Sequence, residues 1–126
     1  MKHGKLTENG VRLEPHETRT INCLLRQGKN ISLIPRSNIK GVRTADFRMD
    51  GIEWEMKSPK GEGKWLLKNI LKRAARQSSH VVIDLRRTKI HQTKCLQELE
   101  KHFLLSKSLT HMKVITKHGK ILDFTK

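Results

Sequence analysis

The chain has 126 residues, 35% hydrophobic and 31% charged, which suits one domain with one ordinary core. Lys and Arg outnumber Asp and Glu by 27 to 12, giving a net charge of +15 and a pI near 10.4, an excess that points to a polyanionic partner, above all nucleic acid. No apolar run of 18 residues is present, so no membrane span is expected, and MKHGKLTENGVRLE lacks the apolar segment of a secretory leader.

Residues 1–13 are polar, basic and glycine-containing, and read as a flexible basic N-terminal arm ahead of a single domain over residues 14–126. Pro15 suits the first position of a helix, where its missing N–H costs nothing. That helix is predicted through HETRTINCLLRQ, with Gly28 as its C-cap. Its apolar stripe is Ile21, Leu24 and Leu25. Glu17 stands four residues before Ile21, close to the stripe. It is either a first-turn acid favoured by the helix dipole or a carboxylate aimed at a site elsewhere. His16-Glu17 begins an HExx pattern, but Thr20 occupies the place of the second histidine, which excludes the zinc-protease motif. Ile31 to Pro35 reads as a short strand and RSNIKGV as a loop.

The stretch TADFRMDGIEWEMKSPK, from Thr44 to Lys60, carries four of the twelve acidic residues. Asp50-Gly51 between alternating residues predicts a two-residue hairpin turn, because both central positions need φ > 0. Met49 then pairs with Ile52, Arg48 with Glu53, Phe47 with Trp54, and Asp46 with Glu55. Alternation puts Phe47, Met49, Ile52, Trp54 and Met56 on one face, as core, and Asp46, Arg48, Glu53, Glu55 and Lys57 on the other. Opposed side chains in a sheet lie close enough for like charges to destabilise it. Two facing carboxylates beside a lysine therefore call for a cation between them.

A second helix is predicted from Lys64 to Gln77, with Leu66, Leu67, Ile70, Leu71, Ala74 and Ala75 buried. Lys64, Lys68, Lys72 and Arg76 recur every fourth residue as a basic ridge suited to phosphate contact. Val81 to Leu85 reads as a strand buried on both faces. Asp84 within it is assigned to a bond with Arg86, Arg87 or a loop amide. Arg86-Arg87 follow at the strand's C-terminal end, where open α/β sheets place their ligands. A third helix is predicted over Gln92 to Leu105, then a terminal hairpin turning near His118-Gly119. Cys23 and Cys95 read as buried thiols on helices.

The order of elements gives an α/β layer protein with a mixed β-sheet flanked by helices. Strand, hairpin, helix, strand is also the order of the restriction-endonuclease-like core. A nuclease using Mg²⁺ or Mn²⁺ needs hard oxygen ligands and a lysine to orient water or neutralise charge on phosphate. Asp46, Glu55 and Lys57 supply these parts in the D…(D/E)-x-K pattern of the PD-(D/E)XK nucleases. Lys60, Lys64, Lys68, Arg76, Arg86 and Arg87 are the candidate phosphate contacts.

From Glu17 to about Arg87 the chain also resembles the C-terminal tRNase toxin domains of contact-dependent growth inhibition proteins. The resemblance rests on Glu17, ADFRMDG, WEMKSP, KNILKRAARQ and VVIDLRR, taken as a linked set. It implies a metal-assisted tRNase acting in the bacterial cytoplasm, with a cognate immunity protein that the +15 surface would favour as acidic. It matches Glu17, Asp46 and Glu55 to the family's acids, the candidate metal ligands, and Lys72 to its helical lysine. Two departures stand out: Ala45 replaces the usual proline, and Lys57 follows Glu55 where many relatives carry an aromatic. Lys57 and Lys72 therefore compete for the catalytic lysine. The same core serves many DNA nucleases, so a DNA nuclease of a mobile element or repair system is the alternative. A non-catalytic nucleic-acid-binding module and a metal-independent RNase using one of the histidines are the readings from other classes.

Overall fold

The structure is a computed structural model that describes residues 3–126. Seven strands form one mixed sheet, and each strand's neighbour in the sheet is its neighbour in the chain. The strands are β1 (Leu6–Thr7), β2 (Ile31–Leu33), β3 (Phe47–Met49), β4 (Ile52–Lys57), β5 (His80–Asp84), β6 (His111–Ile115) and β7 (Ile121–Thr125). Three helices connect them: α1 (Pro15–Arg26), α2 (Leu66–Ala74) and α3 (Gln92–Leu105). The β1–β2, β4–β5 and β5–β6 pairs are parallel and the others antiparallel. Among the described residues no helix is long and apolar enough to cross a membrane.

The Asp50-Gly51 turn forms as its chemistry dictates, with φ of 54° and 81° at the two central positions. Phe47 pairs with Trp54, Arg48 with Glu53 and Met49 with Ile52. Phe47, Met49, Trp54 and Met56 are buried, but Ile52 is 42% exposed. It sits beside the turn at the end of the hairpin, so its place in the predicted core is corrected.

The sheet has a core on each face. On one, Ile21, Cys23 and Leu24 of α1 pack on Ile31, Leu33, Phe47, Met49, Trp54 and Met56. On the other, Leu67, Ile70, Leu71 and Ala74 of α2 and Cys95, Leu99 and Phe103 of α3 pack on Val81, Ile83 and Val114. Both cysteines are free and buried. Burial of apolar area on this scale supplies the main driving force for the fold.

The N-terminal lead-in is not a free arm from Gly4 onward. Gly4 N donates to Leu25 O at 2.7 Å, and Ile31 N donates to Lys5 O at 2.9 Å. Leu6, Val11 and Leu13 pack against the α1-side core. Backbone pairing at the sheet edge holds this segment, which has no hydrophobic period of its own.

Asp84 and Arg86 pin α1 to the sheet. Arg86 donates to both Asp84 oxygens, Nε to Oδ1 at 3.0 Å and Nη2 to Oδ2 at 2.8 Å. Thr20 Oγ1 of α1 donates to Oδ2 at 2.7 Å. Arg86 Nη2 also reaches Arg19 O at 3.0 Å. Asp84 thus has the Arg86 bond expected of it, and Arg86 is committed to holding the fold together.

Candidate active site

The loop before β3 returns to the sheet at Asp46, whose carbonyl accepts from Ile34 N at 3.0 Å while its N–H donates to Trp54 O at 3.0 Å. Its Oδ2 accepts from Met56 N at 2.8 Å, which fixes the carboxylate against β4. Glu55 stands in parallel register with Val81, and Lys57 with Ile83. Both therefore lie on the face covered by α2 and α3, and Glu55 is only 5% exposed. Its Oε2 takes Lys57 Nζ at 3.2 Å. Its Oε1 is buried with no partner. Burial, then the adjacent Asp46 carboxylate, push the Glu55 carboxyl up to about 8, against the pull of Lys57.

A buried acid with a second carboxylate beside it is costly as a pair of anions; a proton shared between Glu55 and Asp46 relieves that cost, and a cation could take its place. Asp46 and Glu55 therefore fit a divalent cation that keeps further positions for water and phosphate. Among the described residues no three His, Cys, Asp or Glu side chains converge in a metal-holding arrangement.

These residues line a cleft of about 740 Å³ together with Glu17, Gln77, Arg12, Arg36 and Arg43. Glu17 reaches the cleft from α1, but its Oε1 accepts from Glu14 N at 2.9 Å, a helix-capping bond. Lys57 also borders a smaller recess shared with Lys60 and Arg73. Lys72 is placed elsewhere. It lines a groove between α2 and α3 with Lys68, Arg76 and His102. The basic ridge therefore faces α3, away from the acids, and Lys64 and Lys68 flank the Trp65 ring at 4.9 and 5.3 Å. Arg87 is half-buried just past β5.

Sequence reasoning missed Arg73 and Gln77, the α2-side residues that border these openings, and Arg12, Arg36 and Arg43. Arg73 follows Ile70 by three residues and Gln77 follows Arg73 by four, a helical spacing that continues one flank of the apolar stripe. That signal was available. The three arginines lie in irregular segments, where no periodicity reports which way a side chain points.

A family model described as the contact-dependent growth inhibition CdiA C-terminal domain matches residues 43–121, more than half of the chain. The chain belongs to this family. A CdiA C-terminal domain here carries Asp46, Glu55 and Lys57 inside the matched region, whereas Glu17 and Arg12 fall before it. Among solved structures, the fold is similar to a chain of the CdiA-CT/CdiI toxin and immunity complex from Burkholderia pseudomallei. The TM-score is 0.70 at 15% identity, covering 98% of this chain and 100% of that one. At that identity the likeness is one of fold. No curated protein matches the sequence.

Proposed function

We propose that this CdiA C-terminal domain is a metal-dependent endoribonuclease toxin of the PD-(D/E)XK type that cuts tRNA in a target bacterium, and that an acidic immunity protein neutralises it. The observation that carries the reading is the Asp46–Glu55–Lys57 group. It combines two adjacent carboxylates, a buried Glu55 oxygen without a partner, and a lysine 3.2 Å from the same carboxylate. The relative's complex of toxin and immunity protein and the +15 charge support the partner and the polyanionic substrate.

A bound Mg²⁺ or Mn²⁺ supplies Lewis-acid polarisation of a phosphoryl oxygen and a more acidic water. Asp46 and Glu55 would hold it, Glu55 through its deprotonated carboxylate. Lys57, freed from sole pairing with Glu55, neutralises charge developing on the phosphate. Lys57 rather than Lys72 takes this role, because Lys72 opens onto the α2–α3 groove.

The test is total RNA incubated with the domain in Mg²⁺ or in EDTA. Discrete tRNA fragments are expected in Mg²⁺ only, with cleavage lost in Glu55→Ala and reduced about 100-fold or more in Lys57→Ala. Lys72→Ala should cut nearly as wild type. Cleavage that survives both EDTA and Glu55→Ala overturns the metal mechanism. Cutting of duplex DNA with tRNA left intact assigns the DNA-nuclease alternative instead.

A further inference from the structure

The segment between β2 and β3 is an eleven-residue loop, 35–45, closed at its base by the Ile34 N–H to Asp46 carbonyl bond of 3.0 Å. Compact loops with joined ends that carry no regular structure commonly hold function. This one is internally ordered. Val42 N donates to Ile39 O at 3.2 Å, Ser37 Oγ accepts from Ile39 N at 3.1 Å, and Gly41 takes φ of 84°. Ile39 and Val42 are thus the two ends of a β-turn with glycine at its third position. They are 69% and 49% exposed.

Two aliphatic side chains displayed on a turn have nothing of this chain to cover them. Their neighbours are cationic: Arg36, Lys40 and Arg43 on the loop, with Arg12 lining the same cleft as Arg36 and Arg43. Among the described residues none of these four has a carboxylate within ion-pair distance. Unpaired cations around an exposed apolar pair suit nucleic acid, in which phosphates and base faces lie a few ångströms apart. Aliphatic side chains pack freely against bases that are already unstacked, and enter a duplex only at the cost of unstacking a step.

We propose that loop 35–45 reads the nucleic acid. Arg36 and Arg43, with Arg12, take backbone phosphates, and Ile39 and Val42 pack on unpaired bases. Because the loop's base is Asp46 itself, this sets an unpaired segment beside the acid pair and directs the domain to loops and single strands rather than duplex. The proposal rests on the reading of the cleft as a nuclease site.

The experiment is fluorescence anisotropy of the whole domain in EDTA, with a labelled unpaired RNA and the same RNA annealed to its complement. The variants are Ile39→Ser with Val42→Ser, and Arg36→Gln with Arg43→Gln, each checked for wild-type melting. The aliphatic pair should weaken binding of the unpaired RNA about tenfold and leave duplex binding and the salt dependence alone. The arginine pair should weaken both RNAs and lower the salt slope by about 2. Wild-type affinity for unpaired RNA in the aliphatic variant overturns the loop's role and leaves the tip to a protein partner. Equal loss on both RNAs overturns it too. Cleavage is not read, so a domain that cuts nothing can still pass, and a domain that cuts RNA can still fail.

Discussion

Two buried acids in this molecule are held in opposite ways. Burial alone would raise Asp84, but Arg86 and Thr20 bond both its oxygens and hold it below the usual carboxylate range. Glu55 has Lys57 on one oxygen and the Asp46 carboxylate as its other neighbour, and burial with that second acid lifts the carboxyl to about 8. The difference separates an acid whose charge the fold satisfies from one whose charge it disfavours. Its consequence is measurable. With a folded pKa above the ordinary 4.5, the stabilising contribution of Glu55 is whole below pH 4.5 and is lost as pH climbs through 8. Glu55→Gln removes that loss. In EDTA the variant should melt higher than wild type at pH 9, by roughly 5 °C or more, with the gap closing toward pH 5. Added Mg²⁺ should raise the wild-type melting temperature more at pH 9 than at pH 6, and leave the variant unmoved. A Gln variant that melts below wild type across the whole range would show that the Glu55 charge stabilises the fold.

The hairpin that carries the acids depends on its turn. A Cβ added at Gly51 meets nothing within 4 Å, so its φ of 81° is the whole obstacle to a side chain. Gly51→Ala should cost about 1–2 kcal/mol in urea unfolding. Gly63→Ala, equally open but without positive φ, should be close to neutral, and equal costs at the two positions would refute the turn's role. This element was also the most legible in the sequence, because alternation and Asp-Gly fix register over eight residues of local chain. β1 was invisible for the converse reason. It is two residues long and held by backbone pairing, which leaves no pattern in side chains. The ridge of Lys68, Lys72 and Arg76 was legible as a ridge but not in direction, since only the packing of α2 on α3 decides what that flank faces.

At the scale of the whole molecule, the sheet separates two cores, and the site sits where the hairpin meets the flank of α2. Asp46, Glu55 and Lys57 were readable because they fall within twelve residues of one another. Arg12, Arg36, Arg43, Arg73 and Gln77 come to the openings from separate stretches of chain, and only tertiary structure collects them. The strand order has its own implication. Every strand lies beside the one made just before it, but the three parallel pairs each close across a helix. Those closures are long, and parallel pairing forms more slowly than a local hairpin, which sets the domain among the α/β chains of intermediate folding speed. After dilution from urea the main refolding phase should finish within about a second as a single exponential, followed by Trp54 fluorescence against a Trp65→Phe background. A main phase lasting minutes would contradict it. The hairpin carrying Asp46 and Glu55 closes over the shortest stretch of chain, so the acid pair should form ahead of the parallel strands.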